Sequence, residues 1–455
     1  MNKTIILFLI TLAAATSSVI GAKQPNVLII YTDDQGTVDL GCYGTEDIYT
    51  PHIDALAEQG VRFEQMYAPS AICSASRAGL LTGRFPARAG VPGNVSSTQG
   101  TPGMPVSMVT IAEMLKAAGY ATGHIGKWHL GYDEATMPNG QGFDYSWGHM
   151  GGCIDNYSHF FYWVGPNRHD LWRNGEHIYE DGVYFLDSMV NELNGFISRN
   201  KDKPFFAYWA INAPHYPLQG TTKWRDFYKD LPSPRNEYNA FVSTLDERVG
   251  QVVAHLEKTG LADNTLILFQ SDHGHSTEER TFWEGGSSGP YRGAKGCLFE
   301  GGIRVPSVVS LPGVIPANQV RSQLVTGVDW LPTIAELCGA ELPDYHIDGK
   351  SILNVIQSDS AASPHDAFYW QLGKGKNMQW VVREGDWKLL GNAKDNSDRR
   401  KQIKVDKLFL ANLAKDLTEA DNLASQYPEV VERLVKLQQK YSENIQDSLK
   451  AELGD

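Results

Sequence analysis

Residues Asn26 to Gly36 read NVLIIYTDDQG, an apolar and β-branched run that ends in two adjacent carboxylates. Six apolar or neutral residues without alternation suit a strand buried on both faces, and the polar tail suits a loop leaving its carboxyl end. The same arrangement recurs outward along the chain. Residues 120–125 read as a strand before Lys127 and His129, residues 204–211 (PFFAYWAI) as a strand before His215, and residues 265–270 (TLILFQ) as a strand before Asp272 and His273. Residues 109–119, 187–199 and 236–259 carry apolar residues at helical spacing. Strands alternating with helices predict an α/β fold, a large mixed, mostly parallel sheet sandwiched by helices. Ligands bind such sheets beyond the carboxyl ends of the strands, so the four polar clusters predict one shared site.

The texture changes after about residue 364. AFYWQL, QWVVREGDWKLLG and KLFLANL read as short strands with polar turns, and residues 428–449 as a terminal helix. The expected organisation is a segment of residues 1–22, a catalytic domain of residues 23–363 and a smaller C-terminal α+β subdomain of residues 364–455. Residues 395–404, rich in charge, read as a solvated loop. Residues 1–22 place a lysine near the start, an apolar run from Ile5 to Ala15 and small residues up to Ala22, the layout of a secretory signal peptide. That run is well short of the ~20 residues a membrane helix needs. The expectation is export, to a periplasm or outside the cell, with no membrane span.

Of the 455 residues, 42% are apolar, ample for a packed core, and the formal charge of −13 argues against a nucleic-acid partner. Five cysteines are too few for a disulfide scaffold, and their odd number leaves one unpaired in an exported chain; Cys73 is the candidate. Asp33, Asp34, Asp272 and His273 gathered at strand ends would repel one another without a cation, and oxygen ligands favour Ca²⁺ or Mg²⁺. A thiol beside a hard ion is then a mismatch. His124, inside a strand, reads as a core histidine, and His275 as a loop residue.

ICSASRAGLLTGR around Cys73, taken with DDQG, TPHIDALAEQGVRFEQMYA, GKWHLG, APHYP, SDHG and RGAKGCLFEGGIRVP, resembles the type I sulfatases of the alkaline phosphatase superfamily, in the family's order from Asn26 to about Leu337. The resemblance implies that Cys73 is oxidised to Cα-formylglycine (3-oxoalanine) by a formylglycine-generating maturase, which puts oxygen where the mismatch stood. It implies Ca²⁺ held by Asp33, Asp34, Asp272, His273 and the modified Cys73. Arg77 would orient the hydrate, Lys127 and Lys295 would bind sulfate oxygens, His129 would act as base, and His215 with Lys295 would serve the bridging oxygen. Two places depart from the common pattern. Ala75 stands where Pro is usual, a form associated with the radical-type maturase, and His273 stands where many relatives have Asn.

Residues 145–172 carry eight aromatic residues interleaved with Asp155, Asn156, His159, Arg168, His169 and Asp170. This region reads either as a platform for a sulfated carbohydrate or as a long loop with its own small core. The expected activity is hydrolysis of sulfate esters of a polysaccharide or oligosaccharide. The rivals are a bimetallic phosphodiesterase or phosphatase of the same superfamily, and a catalytically silent sulfoglycan-binding protein.

Overall fold

The structure, a computed structural model, describes residues 24–454 except Val164 and Gln402. The secretory signal expected in residues 1–22 lies outside the described residues. Ten strands form the main sheet: β1 (Asn26–Asp33), β2 (Val61–Phe63), β3 (Ala121–Lys127), β4 (Tyr145–His149), β5 (Trp172–Arg173), β6 (Glu176–His177), β7 (Phe205–Pro214), β8 (Thr265–Ser271), β9 (Ser307–Ser310) and β10 (Gln319–Arg321). They lie in the order β10-β2-β9-β8-β1-β7-β3-β4-β5-β6. The central strands β8, β1, β7, β3 and β4 are parallel, and antiparallel pairings flank them on both sides. The mixed, largely parallel sheet read from the sequence is therefore present.

Every residue of β1, β7 and β8 is buried, because helices cover both faces. Alternate residues of one strand serve opposite cores. Val27, Ile29 and Tyr31 pack with the helices Cys73–Thr82, Ile111–Ala117 and Trp330–Cys338, whereas Leu28 and Ile30 pack with Pro51–Glu58, Phe185–Arg199 and Arg235–Lys258. Burying one such aliphatic side chain contributes about 1.5–3 kcal/mol, so the register of β1 is fixed from two sides.

The C-terminal subdomain is a four-stranded antiparallel sheet, β11 (Ala367–Leu372), β12 (Gln379–Glu384), β13 (Trp387–Gly391) and β14 (Leu408–Asn412), with the helix Pro428–Leu453 against it. Its apolar face shares a core with Phe85, Phe299 and Val328 of the main body. A buried ionic knot crosses the same junction: Lys388 of β13 donates to Glu300 and Glu419, and Arg304 and Tyr67 also donate to Glu300.

Two local readings need correction. Residues 145–149 are not loop but β4, with Trp147 fully buried. Residues 395–404 are not simply solvated. Asp395 pairs with Arg292 at 2.6 Å, Asn396 bonds the backbone of Ala294 and Lys295, and Arg399 donates to the Lys295 carbonyl at 3.2 Å. The charges in this run are partly inward-facing, and composition alone does not distinguish that case from a wet one.

Candidate active site

Four neighbouring parallel strands, β8, β1, β7 and β3, end at one edge, and each delivers polar side chains there. Asp33 closes β1 and Asp34 follows it with φ 65°; Lys127 closes β3, and His129 follows with φ 55°. Non-glycine residues in the left-handed region are costly and concentrate at functional sites, where the surroundings hold them. Asp272 and His273 follow β8, and His215 follows β7.

Cys73 enters from above this edge as the first residue of the helix Cys73–Thr82, all of whose residues are buried. Small side chains make that burial possible: a Cβ on Gly79 would lie 2.4 Å from Pro69 Cβ. Asn94 Oδ1 accepts the Ser74 N–H at 3.1 Å, and Gly83 ends the helix in the left-handed conformation that glycine adopts freely. Arg77 lies one turn beyond Cys73 on the same face. Lys295 arrives on a loop held by its own N–H on the His275 carbonyl and by Asn396.

These residues meet closely. Cys73 Sγ is 3.3 Å from His273 Nε2 and 3.5 Å from Asp33 Oδ1. Arg77 reaches Asp272 at 2.9 Å and Asp33 at 3.4 Å. Lys127 Nζ donates to Asp33 Oδ2 at 2.7 Å, and Lys295 Nζ to Asp34 at 2.9 Å. One potential ligand atom from each of Asp33, Cys73, Asp272 and His273 lies within 4.8 Å of the others. Asp34 stands beside that cluster, its Oδ1 3.5 Å from His273 Nε2. His273 donates its Nδ1 proton to the Gly274 carbonyl, and His215 donates its own to the Tyr216 carbonyl, so Nε2 of each ring faces the site; at His215 it is a lone pair, whereas burial at His273 is outweighed by Asp272, Cys73 and Asp34, which raise that ring to about 9 in the absence of a cation.

Burial opposes ionisation of Asp33, but Lys127 and Arg77 outweigh it and hold the carboxyl well below its usual range. Burial dominates at Asp34 and Asp272 and pushes both up, despite Lys295 and Arg77 respectively. Burial likewise opposes the Cys73 thiolate, yet Lys127 and Lys295 pull the thiol down to about 6. His129 and His215 are held neutral by burial and by nearby lysines. Three buried carboxylates, of Asp33, Asp34 and Asp272, converge here. A hard divalent cation fits that donor set. The sulfur of Cys73 is the one atom that does not suit it.

Above this floor opens a cavity of about 310 Å³. Cys73, His129, His215 and Lys295 line its base. Phe161, Trp163, Arg168 and Tyr216 line its wall, so the aromatic region divides, part in the core with Trp147 and part at the pocket. Ser96, Ser97, Tyr216 and Glu278 also line it and escape sequence reading. Tyr216 had a signal in its place next to His215; Glu278, which accepts from Tyr216 at 2.8 Å and lies 3.8 Å from Lys295, had none. His275 stands outside the metal-ligand cluster. His124 is buried among Trp128, Phe143 and Tyr208, with neither nitrogen hydrogen-bonded, so it is a core histidine but not a satisfied one. All five cysteines are free thiols, so Cys73 is not singled out by pairing among the rest.

A parallel sheet whose strand ends offer carboxylates, lysines and a buried nucleophile-bearing helix defines a hydrolase of the alkaline phosphatase superfamily. The chain belongs to the sulfatase family: residues 25–340 match the Sulfatase family model, and residues 293–447 match that of the N-sulphoglucosamine sulphohydrolase C-terminal region. It is 32% identical to human arylsulfatase A, over 94% of this chain and 89% of that protein. It is 36% identical to the N-acetylgalactosamine-6-sulfatase of Sus scrofa, over 76% of this chain and 69% of the relative. Among solved structures, Ps i-CgsB in complex with k-i-k-neocarrahexaose superposes with a TM-score of 0.82 at 28% identity, over 95% of this chain and 98% of that one. The protein is thus a sulfuric ester hydrolase.

Proposed function

We propose that the enzyme removes sulfate from a sulfated polysaccharide or oligosaccharide, with a formylglycine hydrate at position 73 as nucleophile and a calcium ion held by Asp33, Asp34, Asp272, His273 and the modified residue. The observation that carries this reading is the position of Cys73 Sγ, on the cavity floor between Asp33 and His273. An unmodified thiol is out of place beside a hard-ion donor set, and an aldehyde hydrate in the same position is not. The hydrate supplies two hydroxyls on one carbon, one to attack sulfur and one whose deprotonation lets sulfate depart. The ion supplies positive charge at the sulfate oxygens.

The chain's own residues do the rest. Arg77, fixed by Asp272 and Asp33, holds the side chain of residue 73 in line. Lys127 and Lys295 offset charge on the transferring group, the electrostatic contribution that usually dominates such reactions. His129 Nδ1 is buried without a partner and serves as the base at the floor. Near the leaving oxygen, His215 spends its Nδ1 proton on Tyr216, so Lys295 is the group there that carries a proton to give, and the His215 Nε2 lone pair accepts from the alcohol hydroxyl once that oxygen has been protonated.

A carbohydrate substrate is supported by Trp163 and Phe161 at the cavity wall and by the oligosaccharide bound to the similar structure. Export is supported by the layout of residues 1–22, and no described helix is long and apolar enough to cross a membrane. Among the described residues the only other cluster of potential metal ligands sits on a different segment, which leaves the bimetallic phosphodiesterase reading without a second ion beside the first.

The test has three parts. Mass spectrometry of the peptide spanning Cys73 from active enzyme is expected to show the aldehyde or its hydrate. A chelator is expected to abolish activity and Ca²⁺ to restore it. A panel of defined sulfated oligosaccharides is expected to yield free sulfate. Full activity from a preparation whose Cys73 is wholly thiol would end the proposal.

A further inference from the structure

We propose that His159, His169 and Asp181 form a second metal site, for a transition ion of the Zn²⁺ type, which pins the hairpin that carries Trp163 and Arg168 to the pocket. One potential ligand atom from each of the three lies within 4.8 Å of the others. His159 is fully buried and donates its Nε2 proton to the Val183 carbonyl at 3.1 Å, which leaves Nδ1 as a lone pair with no partner. His169 Nε2 is also buried and has Asp181 Oδ1 at 3.1 Å. A buried imidazole nitrogen left unpartnered beside a second imidazole and a carboxylate is costly unless something accepts its lone pair.

The outer contacts suit ligation as well. His169 Nδ1 meets His177 Nε2 at 3.0 Å and Val183 holds His159, the kind of support that fixes the tautomer and orientation of ligating histidines. Burial lowers the basicity of both His159 and His169, keeping them neutral. Two nitrogens and one carboxylate, with water in the fourth place, match tetrahedral zinc and mismatch calcium. Ligand atoms around zinc stand roughly 3.3 Å apart, from bond lengths of about 2.0–2.1 Å, so His169 and Asp181 are already placed, and Asp181, 62% exposed, is free to adjust. His159 and His169 flank the short hairpin Phe160–Phe161/Arg168–His169, whose far end bears Trp163. Joining its base to Asp181 fixes how that end meets the cavity.

The test is titration with Zn²⁺ alone in full-length Cys73→Ser/Asp272→Asn protein, where the carboxylate cluster is disabled. Saturable binding of about one equivalent is expected, weakened on the order of tenfold or more by His169→Gln and by Asp181→Asn, the latter an exposed change that spares the core. Zn²⁺ is expected to slow hydrogen exchange across residues 157–183 in the parent and not in either variant. Absence of saturable binding in the parent, or equal affinity in parent and both variants, overturns the site. Binding with unchanged exchange overturns the pinning role.

Discussion

Lys127 Nζ donates to Asp33 Oδ2 at 2.7 Å, and both side chains are wholly enclosed. An enclosed ammonium facing the cavity floor stabilises negative charge without having to reorient, so Lys127→Ala is expected to lower kcat by about 10²- to 10³-fold. Asp33 loses its strongest partner in that variant, and truncating one member of a buried pair costs about 3–5 kcal/mol, so the melting temperature falls too. Sulfate release measured well below that temperature, with saturating Ca²⁺, separates the two effects. Activity within twofold of the parent would remove Lys127 from the machinery.

Asn396 should matter although it lies far from the cluster in sequence. Its side chain bonds the Lys295 carbonyl and accepts the Ala294 N–H at 3.0 Å, so Asn396→Ala leaves that carbonyl with Arg399 alone and that N–H with only the Cys297 sulfur. A loss of about 1–2 kcal/mol is expected, seen as roughly tenfold lower kcat/KM. Steady-state kinetics beside a melting curve checks it; a lower melting temperature with unchanged kcat/KM would make the contact purely structural.

Trp163 is 44% exposed, stacks on Tyr216 with ring centroids 5.9 Å apart, and has Arg280 over its face at 4.3 Å. If a sugar ring rests against it, Trp163→Ala should reduce kcat/KM for a preferred oligosaccharide far more than for a small aryl sulfate, which engages only the floor. Equal losses on the two substrates would assign the residue to loop folding.

Acid should loosen the C-terminal subdomain. Burial opposes the Glu300 carboxylate, but Lys388 and Arg304 outweigh it and hold the group below the usual range. A depressed folded pKa contributes stability that is present above the unfolded value of about 4.3 and lost as pH falls through the lower folded one. Glu300→Gln is therefore expected to be less stable near neutrality and to lose less on acidification below about pH 4.3. Melting temperatures across that range decide it, and parallel curves would contradict the assignment.

The central strands were legible because burial on both faces writes an unbroken apolar run, as in 26–31 and 204–211. Their carboxyl ends then located Asp33, Lys127, His215 and Asp272, and the structure brings all four to one edge. The edge strands were not legible: β5 and β6 have two residues each, too few for any period to emerge. Glu278 and Asn396 were hidden for another reason. Their work is done through partners that lie distant in the chain, at Tyr216 and Lys295, and nothing in the neighbouring residues records it.

The helix Cys73–Thr82 has one further implication. Cys73 is 2% exposed, and Ala75 and Arg77 are wholly covered. An enzyme that oxidises Cys73 by gripping the surrounding ICSASR segment cannot reach it once the sheet has closed over this helix. The chemistry proposed for position 73 thus has a deadline set by folding. On that proposal, a chain that closes first is native in shape and inert, and a preparation's specific activity reports the order of two events rather than the stability of the product.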